Sequence, residues 1–347
     1  MRLYCSLAFM LVAVLLAGCG GGGGGTEEGT RAGETLGSTG STEAAEGSPP
    51  RREPATVWVA LDGWETAETL GLVMAEQRGY FTKSRLLVTT LAPISPALSI
   101  PDVVNGSDLI GVAHGPQAVV AKAKGAPITI LSSLVSHASA ALIWRRDSGI
   151  GGIAGLKGKT VAIPGLSFQQ SFLGHVLARG GLTLGDVEVK KVGNDLVPAL
   201  VEGKADAIFG GSGNLEGADL EAQGLDPVIT PVRSLGVPDY DELVLVARAD
   251  RTEEEPDVMR DFAMTAIQGA AAAVEAPKGA VKALEEAGER NPATSAKARR
   301  AEVRQTIPLL SSDGEVDADR MQTLVDWMYE EGMIESRFPV SELLVDP

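Results

Sequence analysis

Five short segments carry side chains that could grip a small molecule, and each follows a run of residues with strand character: 62–65, 114–117, 165–168, 211–216 and the stretch entering Tyr240. In an open α/β sheet, ligands sit beyond the carboxyl ends of the strands, so these segments are expected to form a site. Aromatic residues are only 4% of the chain, and Trp64, Phe168 and Tyr240 fall on three separate segments. That placement predicts flat walls for a planar ligand, with core packing as the alternative for each ring. Leu166 is expected beside Phe168, while Asp62, His114, Gln117 and Ser167 add donors and acceptors at the same strand ends. Asn214 and Glu216 have the chemistry to read an amine or a carbonyl, although turns and caps use the same residue types.

Catalytic patterns are missing from the same inventory. The chain has three histidines and two cysteines. His114, His137 and His175 stand apart, there is no His-Glu-x-x-His pattern, and no cysteine pair is available to a metal. No Gly-x-Ser-x-Gly elbow occurs, and Ser212, between Gly211 and Gly213, has no identifiable base and reads as a turn residue. The expectation is therefore a binding site with no cofactor and no metal, and a protein that is not an enzyme.

These segments need a frame, and apolar runs alternating with helical patterns from residue 56 onward predict an α/β fold. Strands are expected at 57–61, 109–113, 128–131, 140–144, 160–163, 187–192, 205–209 and 241–247. Thr66 is expected to cap a helix over 67–78 that stops at Gly79, with Tyr80 and Phe81 packing under its end. Further helices are expected at 118–124, 196–202, 258–275 and 319–332, the last showing an apolar stripe of Met321, Leu324, Val325 and Met328. Ser167 with Gln170 has the spacing of a capping box that would open another helix. Crossings near 145–158 and 231–238 would put 56–145 and 236–347 in lobe I and 146–235 in lobe II, with a hinge and a cleft between them. Charge runs such as Glu253 to Glu255 and the pair Arg299-Arg300 are expected to be solvated surface.

The amino-terminal residues bear on location. Met1 and Arg2 precede an apolar run over 7–16, and Leu16-Ala17-Gly18-Cys19 follows, the order of a secretory signal. The tetrapeptide resembles the bacterial lipobox, which implies cleavage of 1–18, lipidation of the Cys19 thiol and acylation of the new terminus with chains such as palmitate. Residues 19–55 are rich in Gly, Ser, Thr and Glu and read as a tether. Cys5 would be discarded with the signal, so no disulfide is expected in the mature protein. The expected location is the extracytoplasmic face of the cell membrane. A formal charge of −16 argues against a nucleic-acid partner, and a monomer is expected.

Several stretches resemble the periplasmic-type binding proteins for nitrate, sulfonate and thiamine pyrimidine precursors, and within them the pyrimidine-precursor branch. They are Ala60-Leu61-Asp62-Gly63-Trp64, Glu76-Gln77-Arg78-Gly79-Tyr80-Phe81, Gly155-Leu156-Lys157-Gly158-Lys159, Asp195 to Leu200 and Gly236 to Val244. More specific is Asp206 to Glu216, where Asn214 and Glu216 match the Asn and Glu that follow the paired glycines in that branch. The resemblance implies a two-lobed periplasmic binding protein type II fold, a small heteroaromatic ligand read in part by Asn214 and Glu216, and an ABC permease and ATPase as partners. Ser212 and Gly213 replace the bulky residues of that branch, and Gly63 and Glu65 flank Trp64 in the same way, which implies a larger or different ligand. The alternatives are another small solute (a sulfonate, nitrate or a riboflavin-like molecule), a sensor without transport, and an enzyme related to pyrimidine synthesis. The last resembles an iron-dependent enzyme with a cysteine-rich segment that this chain lacks.

Overall fold

A computed structural model of the protein describes residues 53–106, 110–287 and 294–345. The expected signal, Cys19 and nearly all of the tether therefore lie outside the described residues. The chain begins with β1 (Ala55–Ala60), α1 (Leu70–Gln77), α2 (Tyr80–Lys83), β2 (Leu86–Leu91), α3 (Ser99–Val104), β3 (Ile110–His114), α4 (Gly115–Ala123) and β4 (Ile128–Val135). It continues through β5 (Ala140–Arg145), β6 (Thr160–Ile163), α5 (Gln169–Arg179), β7 (Glu188–Lys191), α6 (Leu196–Val201), β8 (Ala207–Ser212), α7 (Ala218–Ala222) and β9 (Pro227–Pro231). It returns with β10 (Leu243–Arg248), α8 (Ala249–Glu254), α9 (Pro256–Glu275), α10 (Pro277–Ala287), α11 (Ala296–Thr306) and α12 (Ala318–Glu330).

Two five-stranded sheets result, ordered β2-β1-β3-β10-β4 and β7-β6-β8-β5-β9. Each has three parallel strands at one side, and β10 in the first and β5 in the second run antiparallel to their neighbours. The interior strand β10 begins Leu-Val-Leu-Val-Ala and is buried on both faces over that run, as expected for a strand covered by helices above and below. In β1, Val57 and Val59 point into the core while Thr56 and Trp58 are exposed, the two-residue period of a half-covered strand.

Strand β5 was expected in lobe I, but it pairs with β8 and β9 in the second sheet. The chain therefore crosses between sheets over 136–139, ahead of the Gly-rich stretch 145–158, and returns over 232–242. The physical reason is that β5 is an apolar strand whose inner face completes the second core: Leu142 and Trp144 pack with Val161, Phe172 and Leu177. A run rich in Gly and charge signals a surface loop, which need not be the crossover. Strands β2 and β9 and the short helices around them are additional to the expected elements.

Local signals mostly act as expected at the first helix. Thr66 Oγ1 accepts from the Glu68 amide at 3.3 Å, and Thr69 Oγ1 accepts from the Thr66 amide at 3.0 Å. Gly79, at φ 66°, ends α1, and Phe81 stacks on Phe262 of α9 at 5.2 Å. The box at Ser167 does not form. Helix α5 starts two residues later, Ser167 is exposed, and Gln169 Oε1 instead accepts from the amides of Gly165 (2.8 Å) and Leu166 (2.9 Å). The longer glutamine reaches both free amides at once, where a serine hydroxyl would reach one.

Candidate functional site

The carboxyl ends of β1, β3, β6 and β8 converge on one cleft between the sheets, of about 400 Å³. From the first lobe come Asp62, Trp64, Glu68, Pro96, His114, Arg299 and Glu302. The second lobe adds Leu166, the 193–198 segment, Gly211, Ser212, Leu215, Glu216 and Asp219. The volume is in the usual range for small-molecule sites.

His114 ends β3 and is the pivot of the cleft floor. Its Nδ1 lies 2.8 Å from Glu242 Oε1 and its Nε2 3.6 Å from Asp62 Oδ2. Burial by itself lowers the imidazole's pKa, but the hydrogen bond and charge of Glu242, then the charges of Asp62 and Glu68, raise it to about 9. The ring is thus an imidazolium at neutral pH, with Nδ1 donating to Glu242 and the Nε2 side facing the Asp62 carboxylate as an ion pair. Burial likewise disfavours the Glu242 carboxylate, yet His114 and the amides of Ala140 and Ser139 hold its pKa below the usual range. The next residue after His114 must be glycine: a Cβ on Gly115 would sit 2.3 Å from the Asp241 carbonyl oxygen.

Around this pair the cleft is acidic. Burial and the charge of Glu242 push Glu68 up to about 7, and burial pushes Glu216 to about 7 and Asp62 above its ordinary value. Glu302 rises to about 8 through burial and the charges of Asp219 and Glu216. Asp62, Glu65, Glu68, Asp195, Glu202, Glu216, Asp219 and Glu302 all line the cavity, against His114 and Arg299 as the cations among the described residues. Such a surface suits a ligand rich in hydrogen-bond donors or positive charge, and Trp64, 40% exposed, offers it a flat face.

Of the residues expected from the sequence, Asp62, Trp64, His114, Leu166 and Glu216 line the cleft. Asn214 is buried behind it, where Nδ2 donates to Glu68 Oε1 (2.9 Å) and Thr306 Oγ1 (2.8 Å), joining the lobes directly. Gln117 is buried, with Nε2 3.5 Å from the Pro96 carbonyl. Two of the expected aromatic walls are corrected by the packing. Tyr240 is fully buried and meets Phe172 edge-on at 6.3 Å, and Phe168 packs on Phe172 at 4.9 Å and lies 6.4 Å from the His114 ring. Both rings belong to an apolar spine that continues to Trp327 and cements the lobes beneath the cleft. Arg299, expected as solvated surface, lines the cavity.

Glu68, Glu242 and Glu302 join the site although no motif in the sequence marks them. Each had a usable signal. Glu68 lies among buried neighbours in the first turn after Thr66, and Glu242 abuts the apolar run Leu243 to Ala247 of β10. Glu302 shares a helical stripe, at i, i+4 spacing, with Ala298 and Thr306. An acid on a buried stripe is a rare placement that asks for a partner.

Residues 66–280 match the NMT1/THI5 like family. The chain belongs to that family. As a member of the NMT1/THI5 like family it is 27% identical, over 291 residues covering 83% of this chain and 91% of the relative, to a Haemophilus influenzae protein named for thiamine biosynthesis. It is 30% identical over 230 residues to the formylaminopyrimidine-binding protein of Halalkalibacterium halodurans, covering 66% of this chain and 69% of the relative. A shorter stretch of 151 residues, 43% of each chain, is 29% identical to the 4-amino-5-hydroxymethyl-2-methylpyrimidine phosphate synthase of Schizosaccharomyces pombe. Among solved structures, the alkanesulfonate-binding protein SsuA of Xanthomonas axonopodis pv. citri, bound to MOPS, superposes with a TM-score of 0.66 at 18% identity, covering 85% of this chain and 99% of that one. At that identity the likeness speaks for the fold, which is the two-lobed periplasmic binding protein fold.

Proposed function

We propose that the chain captures a small, planar, amine-bearing heterocycle such as a pyrimidine precursor of thiamine and delivers it to an ABC permease and ATPase, without performing chemistry on it. The observation that carries this reading is the composition of the cleft: eight acidic residues from both lobes beside an exposed indole. Carboxyl oxygens accept hydrogen bonds from amino groups, and those lining carboxyls that are ionised repel sulfonate or nitrate, so the lining favours the pyrimidine alternative over the anionic ones. The binding relative named for formylaminopyrimidine supports the same class, as does the partial match to a synthase whose product is an aminopyrimidine. Both cysteines of the chain lie within residues 1–19, which leaves none for a cysteine-rich segment. In this reading Cys19 carries lipid and holds the receptor at the extracytoplasmic face. Among the described residues no helix is long and apolar enough to cross a membrane.

Calorimetry on the purified protein with formylaminopyrimidine, MOPS and nitrate tests the ligand class. The pyrimidine should bind and both anions should fail. Tight binding of an anion with no response to the pyrimidine overturns the reading. Cells lacking the chain should also stop importing the labelled pyrimidine, whereas undiminished import would assign the protein to sensing.

A further inference from the structure

We propose that Glu302, from α11, is a second ligand-reading residue that faces Glu216 and Asp219 across the cleft, and that it selects a planar edge carrying a hydrogen-bond acceptor beside a donor. The inference rests on the pyrimidine reading above and adds the atoms that such a ligand must present. Glu302 lies beyond residues 66–280, the stretch that matches the family.

The geometry is that of a carboxyl with no other occupation. Glu302 is 6% exposed, lines the cavity, and has no hydrogen bond from any described residue. Three neighbouring groups on α11 bond to the opposite lobe: Thr306 Oγ1 accepts from Asn214, Gln305 Nε2 donates to Glu221 Oε2 at 3.3 Å, and Lys297 Nζ donates to the Ala222 carbonyl at 2.6 Å. The helix is thereby held against α7, and Glu302 is held at the cavity wall. Its carboxyl oxygens open onto the cavity, where a bound molecule with the right edge would become their hydrogen-bond partner.

The groups facing Glu302 define that edge. Asp219, Glu216 and Glu68 add negative potential, Arg299 alone lowers it, and the carboxyl stays protonated up to about pH 8. A carboxylic acid presents one O–H donor and one carbonyl acceptor in a plane. That pair complements an aminopyrimidine, whose ring nitrogen accepts while the adjacent amino group donates. An ionised carboxylate reads only the donor, so affinity should decline as pH rises through about 8.

The test is calorimetry with formylaminopyrimidine and an analogue lacking the ring amino group, on wild-type protein and on Glu302→Gln and Glu302→Leu. Near-ultraviolet circular dichroism and melting curves establish that each variant is folded. Glu302→Leu should bind formylaminopyrimidine about tenfold to hundredfold more weakly, with little change for the analogue. Glu302→Gln keeps a donor beside an acceptor, so it should retain most of the affinity and lose the decline above pH 8. Unchanged affinity in a folded Glu302→Leu protein overturns the inference while leaving the pyrimidine reading intact. Loss in Glu302→Gln as large as in Glu302→Leu overturns the proposed edge, because only the ionised form would then matter. Absence of binding by the wild-type protein overturns the functional reading and this inference together.

Discussion

Glu242 Oε1 accepts from His114 Nδ1 at 2.8 Å, while Oε2 of the same carboxylate accepts from the amides of Ser139 (2.7 Å) and Ala140 (2.9 Å). One buried side chain on the returning crossover therefore holds both the end of β3 and the outgoing crossover. Its backbone is fixed as well, since the Glu242 amide donates to Val135 O and its carbonyl accepts from Gly115 N. The floor of the cleft and both passages between lobes meet at this residue.

Glu242→Gln should break the pair on one side only and leave His114 beside a neutral amide. Removing one partner of a buried pair typically destabilises by about 3–5 kcal/mol. The melting temperature should fall, and the His114 ring, followed by proton NMR, should titrate at lower pH than in the wild-type protein, where the Glu242 charge and hydrogen bond hold it up. A His114 titration unchanged by the substitution would remove Glu242 as the cause of its charge.

Stability should decline as pH rises from about 5 to about 8. Glu68 and Glu216 reach about 7 and Glu302 about 8 in the folded protein, so between the unfolded value of 4.5 and those values the native state binds more protons than the unfolded chain. Raising pH through that window favours unfolding, on the order of 1–3 kcal/mol per group. His114 acts in the same direction, contributing stability below about 6.5 that is lost as pH passes about 9. Chemical denaturation at successive pH values checks the sign: a rise in stability over this window would contradict it.

Trp64 and Tyr240 should respond oppositely to alanine. Trp64 is 40% exposed at the cleft, so Trp64→Ala should leave folding intact and weaken an aromatic ligand roughly fivefold to hundredfold. Tyr240 is wholly buried in the apolar spine, and Tyr240→Ala should destabilise by about 3–5 kcal/mol. Paired melting and calorimetric measurements separate the two roles.

In the proposed lipid-anchored form, Cys19→Ser should release the protein from the membrane fraction, because stable anchoring takes more than one acyl chain. Membrane association that survives the substitution, with cleavage at the same bond, would exclude lipid anchoring through Cys19.

The α/β class, most strand positions and the loops that carry Asp62, Trp64, His114 and Glu216 were legible in the sequence, because each depends on a local pattern. Alternation, capping and glycine stops act within a few residues, and the loops after strands are where such folds present their side chains. Local pattern could not say which sheet β5 joins, since its apolar run would bury equally well in either core. Nor could it separate Trp64, which stays at the cleft wall, from Tyr240, which the neighbouring Phe172 and Trp327 draw into the spine. The charge of His114 and the pairing of Glu68 with Asn214, 146 positions apart, arise only when distant segments are brought together in a medium of low polarity. Residue types and strand ends are properties of neighbouring amino acids and can be read in order along the chain. Burial, protonation and the nearness of Glu302 to Glu216 are properties of the folded chain, set by segments that the sequence keeps far apart.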